Sequence, residues 1–487
     1  MSVEQNQHEQ HQSSPPPRRK RRWILALIAA MIVLPAAGVV YVIFDPSQLK
    51  QELAALQEEG LPTNAVELNA YYGVPSGVAD TTKLWTAATA AVRDAKISER
   101  ARGLPIVGMA PTPIPAPGTE WPELEASRSF LKELEPEMQI IRRAAEAGGM
   151  ARYPVDFSAG IATLLPDAQE ARTLARPLEL SAHVSVHNGR PSDVLQDVIA
   201  VFRLSDSLRG EPILVSQLVR IAIHAIGCHL ANDMLQHCKW TDDDLERLQD
   251  AIGQAEFRAE MIRAIRGEHA NFFTTIDHYP GVWFRDANKL KSIELFSESA
   301  DALSSSWQDA RKKGEEIGLQ LNTKPMSAIT QLKQNYIQHL FPAMEQAVNA
   351  GARAEVRQNC LIAKITAYRY RLRHGTWPMS LADLRDFMAG DEATRTQRLT
   401  DPFDGHPLRL KSENGIILIY SISENRIDDG GVISNEKPQE GDYGYLIQID
   451  FQQPNQPQSA SLHRAQGRLA ILSALPMFDS RRYGADK

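Results

Sequence analysis

The chain has 487 residues, 43% hydrophobic and 23% charged, with a formal net charge of −7, enough for two or three folded domains of ordinary composition. Residues 1–44 hold five Lys/Arg and two Asp/Glu, which leaves 48 cationic against 58 anionic side chains in the remainder. So acidic a body, with no basic stripe interleaved with aromatics, excludes a general nucleic-acid binder, because phosphate affinity needs clustered Lys/Arg. The three cysteines, Cys228, Cys238 and Cys360, exclude a disulfide framework.

Residues 1–22 form a polar tail that ends in Arg18-Arg-Lys-Arg-Arg22; its Gln, Ser and Pro content predicts disorder. Trp23 to Phe44 follows without a charge. At about 1.5 Å per residue this run is long enough to cross the hydrocarbon core of a bilayer. Trp23 and Tyr41 stand near its ends, where amphipathic rings prefer the interface, and the preceding cations belong on the cytoplasmic side. The competing expectation is a cleaved signal peptide with its site near Pro35-Ala-Ala-Gly38, which lacks a clean A-x-A. Either way the body is exported, and the bacterial cell membrane is the expected location. The lipid bilayer is then the first partner, through residues 23–44.

Residues 45–121 carry a juxtamembrane helix and a Pro-rich connection. Leu49, Leu53 and Leu56 share one helical face and Gly60 stops it. Thr82–Arg93 is a second predicted helix, and GLPIVGMAPTPIPAPGTEWP, residues 103–122, is an extended spacer. Residues 122–340 are read as a helical domain. One helix is expected over Ala126–Ala147, another from Asp167 to His187, and a third after the turn Asn188–Ser192. An apolar helix follows Pro212, and Thr241-Asp-Asp-Asp244 caps one that continues through Arg266. Successive helices and short turns predict an antiparallel helical-hairpin array. Residues 270–330 give no clear period.

Residues 341–451 read as a long helix plus an α+β body, and 452–487 as a tail. The helix runs from Pro342 to Arg373 and ends at His374-Gly375; Ser380 caps a short one. DPFDG, residues 401–405, is turn chemistry: Pro presets the backbone, Asp bonds its own main chain and Gly accepts positive φ. Leu408–Leu410 and Ile416–Ile422 are expected to pair, with Tyr443–Phe451 returning.

The order of long helix, HGTWP, SLADL, DPFDG, ILIYS and a DDGG loop resembles the globular body of type II secretion major pseudopilins over residues 350–450. The runs GEPILVSQLVRIAIHAI and LERLQDAI resemble a group of uncharacterised bacterial membrane-anchored proteins that end in the same body. The pseudopilin resemblance implies a small antiparallel sheet and a calcium ion in the loop after Tyr420-Ser421. Glu424, Asn425, Asp428 and Asp429 supply candidate oxygens there, with Asp442 closing the site. The bland alternative is a solvated acidic turn.

His183/His187 and His224/Cys228 are spaced i,i+4, as zinc-binding helices require, but no HExxH accompanies them. No GxSxG, Walker A or strand–helix GxGxxG is present. The expected fold is mainly α, with an N-terminal transmembrane helix and a small C-terminal α+β body. The expected function is a non-enzymatic, membrane-anchored extracytoplasmic interaction or scaffold protein with an envelope protein as partner. The alternatives are an accessory component of a secretion or pilus-like assembly and, behind it, a metal-dependent envelope enzyme built on His183 and His187.

Overall fold

A computed structural model describes residues 46–110, 114–278, 285–323, 328–437 and 439–449. The polar tail, the apolar segment 23–44 and the tail 452–487 lie outside the described residues. Contacts divide the chain into Met1–Ala55 and Leu56–Lys487. The described part is mainly helical, with one small antiparallel sheet.

The first helices are α1 (Pro46–Glu58), α2 (Ala65–Tyr71), α3 (Thr82–Ala95) and α4 (Ile97–Arg100), followed by α5 (Leu124–Glu133) and α6 (Glu135–Ala147). Asn64 caps α2 by accepting from the Glu67 amide. The single helix expected over Ala126–Ala147 is two. Pro136 lacks an amide hydrogen and prefers the first turn of a helix, so the chain restarts after Leu134.

A 3-10 turn at Phe157–Ala162 leads to α7 (Pro166–His187), α8 (Pro191–Ser207) and α9 (Leu214–His237). The turn between α7 and α8 reverses the chain, and α7, α8 and α9 pack against one another. By length and composition α9 could cross a membrane, yet 72% of its most apolar window is buried inside the protein. It is a core helix with apolar residues all round, enclosed by α7, α8 and the long helix described below.

Thr241 and Asp244 form the expected capping box of α10 (Asp242–Gly253). That helix was expected to run through Arg266. Instead it stops, and α11 (Phe257–His278) begins. Distant side chains take the carbonyls left open at the break. Gln358 Nε2 donates to Ile252 O at 2.6 Å and Ala255 O at 3.1 Å, and Arg398 Nη2 donates to Gly253 O at 2.6 Å.

Helices α12 (Arg285–Ser305) and α13 (Trp307–Thr323) occupy the stretch without a clear period. Ser306 starts α13, its Oγ accepting from the Asp309 amide at 3.0 Å. The long helix α14 spans Ala328–His374, well before and through Pro342, and ends as expected at Gly375, φ 72°. Its 47 residues reach about 70 Å. It packs against α9, α10, α11, α12 and α13.

Two short helices, α15 (Leu381–Arg385) and α16 (Glu392–Arg398), precede the strands β1 (Arg409–Glu413), β2 (Ile416–Ser421) and β3 (Tyr443–Gln448). The sheet order is β1-β2-β3, both pairs antiparallel, and α14 lies against β2 and β3. The β1–β2 turn is the two residues Asn414-Gly415, φ 51° and 75°, the tight turn that matches strand twist. Ile417, Ile419 and Ile447 are buried on the inner face. Burying each such side chain contributes roughly 1.5–3 kcal/mol.

Candidate functional site

The turn Asp401–Gly405 is built around a buried carboxylate. Asp401 has no exposed surface. Its Oδ1 accepts from Phe403 N at 3.0 Å and Ser421 Oγ at 2.8 Å; its Oδ2 accepts from Ile422 N at 3.0 Å and Arg409 Nη1 at 2.6 Å. Burial raises its pKa, and those hydrogen bonds oppose the rise. Four donors on one carboxylate fasten the turn to the end of β2. Arg409 also pairs with Asp404, and its Nε lies 3.9 Å from Asp428. One guanidinium therefore joins the turn, the first strand and the loop that follows β2.

That loop holds the expected calcium residues. Asp442 is fully buried, and its oxygens accept from Asp429 N at 3.3 Å and Gly431 N at 2.8 Å. Asp428 Oδ1 accepts from Tyr420 Oη at 3.2 Å and Gly430 N at 2.9 Å. Asn425 Nδ2 donates to Asp429 Oδ2 at 2.8 Å, and Asn425 Oδ1 accepts from Ile427 N at 3.0 Å. Glu424 turns away to pair with Arg353 of α14. The structure thus brings Asn425, Asp428, Asp429 and Asp442 into one loop and leaves Glu424 outside it. As arranged, Asp428 Oδ1, Asp429 Oδ2 and both Asp442 oxygens accept from the protein's own donors. Among the described residues no group of three or more His, Cys, Asp or Glu is placed to hold a metal.

Beside this loop lies a cleft of about 240 Å³, open to solvent, lined by Arg353, Val356, Arg357, Phe403, Ser423 and Tyr443 among others. Arg353 and Arg357 are one helical turn apart and share a face. Arg357 is 7% exposed and Ser423 1%. Arg357 Nε and Ser423 Oγ are sealed from solvent without a hydrogen-bond partner. The Arg311 guanidinium stacks over the Phe403 ring at 4.8 Å, and Arg426 pairs with Glu315 at 2.7 Å. The spacing of Arg353 and Arg357 on a helix was the readable signal; that the helix face meets a loop was not.

A second polar cluster runs through the helical core, and sequence reasoning passed over it. Glu211 is 1% exposed; its Oε1 accepts from Ser216 Oγ at 2.7 Å, and burial pushes its pKa up to about 7. Gln217 Oε1 accepts from Arg220 Nη1 at 3.2 Å, and Arg220 Nη2 lies 3.9 Å from Asp206. Arg220 is wholly buried, over the Phe257 ring at 5.1 Å. Glu268 Oε1 accepts from Leu214 N at 2.9 Å, so it takes one of the open amides at the start of α9. The visible trace of this cluster is Ser216, Gln217 and Arg220 within an otherwise apolar helix.

The histidines part company. His183 Nδ1 lies 3.9 Å from Asp233 of α9, and His237 Nε2 lies 3.6 Å from the same carboxylate. His187 instead meets Pro115 O at 3.1 Å and the Trp121 ring at 5.0 Å. His224 packs between Phe202 and Phe257, with its Nδ1 3.4 Å from Cys228 Sγ. Cys228, Cys238 and Cys360 are free thiols.

Among the described residues, exposed large apolar side chains are spread thinly on helices α2, α3, α13 and α14 (Val66, Leu84, Leu319, Leu372). On the sheet they converge. Leu418 and Leu446 are register partners and so share the outer face, and Ile416 lies two residues from Leu418 on that side. Ile416 and Leu446 are exposed, as are Ile427 and Val432 in the loop alongside. No protein-family model, curated protein or solved structure matches the chain.

Proposed function

We propose that this is a single-pass protein of the bacterial cell membrane, anchored through residues 23–44 with Arg18–Arg22 cytoplasmic, and that its exported body is a non-enzymatic interaction or scaffold module. The observation that carries the reading is the apolar outer sheet face of Ile416, Leu418 and Leu446 beside the exposed Ile427 and Val432. Apolar side chains converging on a rigid support mark a protein contact. The support is rigid because Asp401 and Arg409 fix its turn, strand and loop together. The sheet offers a better surface than the helices, on which exposed large apolar side chains are scattered.

The test is photo-crosslinking from Leu446 and Val432 in native membranes, followed by identification of what is captured. A defined envelope protein at both positions supports the proposal, and no adduct at either overturns it. Protease added to intact spheroplasts should digest the body; survival until lysis would remove the topology.

A second reading, an accessory component of a secretion or pilus-like assembly, is favoured by the long helix α14 lying against a small antiparallel sheet. It predicts co-purification with pseudopilins, and a pull-down lacking them would remove it.

A further inference from the structure

We infer that the cleft between α14 and the loop after β2 receives a carboxylate from an acidic segment of a partner protein, with Arg357 and Arg353 as charged donors and Ser423 as the neutral one. The inference rests on the scaffold reading only in naming a protein as the source of the carboxylate.

Three observations converge on an anion. Arg357 and Ser423 line the cleft, and Arg357 Nε and Ser423 Oγ lie just beneath its surface without a hydrogen-bond partner. A buried polar atom without a partner costs about 1–3 kcal/mol, and a ligand that supplies the partner recovers it. The surroundings are cationic: Arg311, Arg353 and Arg426 face Glu424 and Glu315 as counter-charges, and Arg357 adds a further positive charge in the lining. Finally, a carboxylate already visits the place. Glu424 occupies Arg353 from the loop side, which shows that the guanidinium is aimed for such a group.

The size and the wider charge choose the ligand. Much of the cleft's roughly 240 Å³ is open solvent rather than enclosed space, so it cannot enclose a cofactor or drug-sized ligand. It admits the end of one side chain. Planar guanidinium groups match the two oxygens of a carboxylate. A polyanion such as nucleic acid would meet the repulsion of a body with 58 acidic against 48 basic side chains. A short acidic stretch of protein brings its charge to the cleft alone. Phe403 and Val356 line the same cleft and suit the methylene stem of glutamate.

The experiment uses the full-length protein in nanodiscs of zwitterionic lipid and a fluorescein-labelled hexaglutamate peptide, with hexaglutamine as control. The basic stretch Arg18–Arg22 is common to every variant, so the quantity read is the peptide concentration that half-protects residues 421–426 from hydrogen exchange. The expected results are protection of 421–426 by hexaglutamate alone and at least a tenfold higher half-protecting concentration in Arg353→Gln. Glu424→Gln, which removes the resident competitor, should bind several-fold tighter. Arg357→Met should abolish the protection; should that variant not fold, half-buried Arg353 carries the test.

Equal behaviour of the two peptides, or affinity indifferent to Arg353→Gln, overturns the inference. Displacement of the peptide by millimolar inorganic phosphate as readily as by free hexaglutamate also overturns it, in favour of a small-anion site. Failure here together with a captured partner at Leu446 refutes the cleft and leaves the scaffold reading standing. Success here with no partner captured would do the reverse.

Discussion

The Arg409 guanidinium donates to the fully buried carboxylate of Asp401 at 2.6 Å, across eight residues that contain the whole DPFDG turn. The charge is held where water cannot reach it, so each partner depends on the other.

Asp401→Ala should therefore lower stability by roughly 3–5 kcal/mol, the usual cost of removing one member of a buried ion pair. Urea unfolding followed by circular dichroism measures it. Adding Arg409→Met should not restore the loss, because Arg409 also pairs with Asp404. A loss below about 1 kcal/mol for Asp401→Ala would contradict the four-donor arrangement.

Glu211 gives the chain a pH signature. Its pKa rises from 4.5 unfolded to about 7 folded because burial disfavours the carboxylate. Between those values the native state binds the proton that the unfolded state has released. Stability thus falls as pH rises through that window. The shift corresponds to roughly 3 kcal/mol in full. In Glu211→Gln that component should vanish: relative to wild type, the variant should gain stability as pH goes from 4.5 to 7. A constant difference between the two proteins across this range would refute the assignment.

Gly351 lets the Trp307 ring lie directly on α14. A Cβ there would sit 2.5 Å from Trp307 Cη2, and Trp307 is held by Nε1 donating to Glu355 Oε2 at 2.9 Å. Gly351→Ala gains helix propensity but must push the ring aside, an overpacking cost of about 1–3 kcal/mol. The expected net result is destabilisation, read as a lower urea midpoint. An increase would mean that Trp307 yields freely.

Thermal melting in millimolar calcium and in chelator should coincide, since the protein's own donors already engage Asp428 Oδ1, Asp429 Oδ2 and both oxygens of Asp442. A rise with calcium that Asp428→Ala/Asp429→Ala abolishes would show that the loop rearranges to admit the ion.

Local chemistry was legible where one short stretch contains both partners. Thr241 with Asp244, Ser380 before α15, and Gly375 after α14 are such cases. Ser306 with Asp309 was equally readable and went unused. The two-residue turn Asn414-Gly415 lies between the strands expected over Leu408–Leu410 and Ile416–Ile422. The break after Gly253 could not be read, because Gln358 and Arg398 that complete it come from far along the chain. The same holds for the site. The acidic loop announced itself, but the burial of Asp401 and the meeting of Arg357 with Ser423 are products of packing, and no window of sequence contains them.

That break has a temporal side. The carbonyls of Ile252, Gly253 and Ala255 find their partners 103 to 145 positions later. At 5–20 residues per second, a ribosome needs about 5 to 30 seconds to supply them. Throughout that interval the nascent chain carries an unfinished joint, wetted by solvent, at the middle of its helical half. Only the arrival of the distal third locks it, so a prematurely terminated product would keep the joint loose and offer a handle to quality-control proteases.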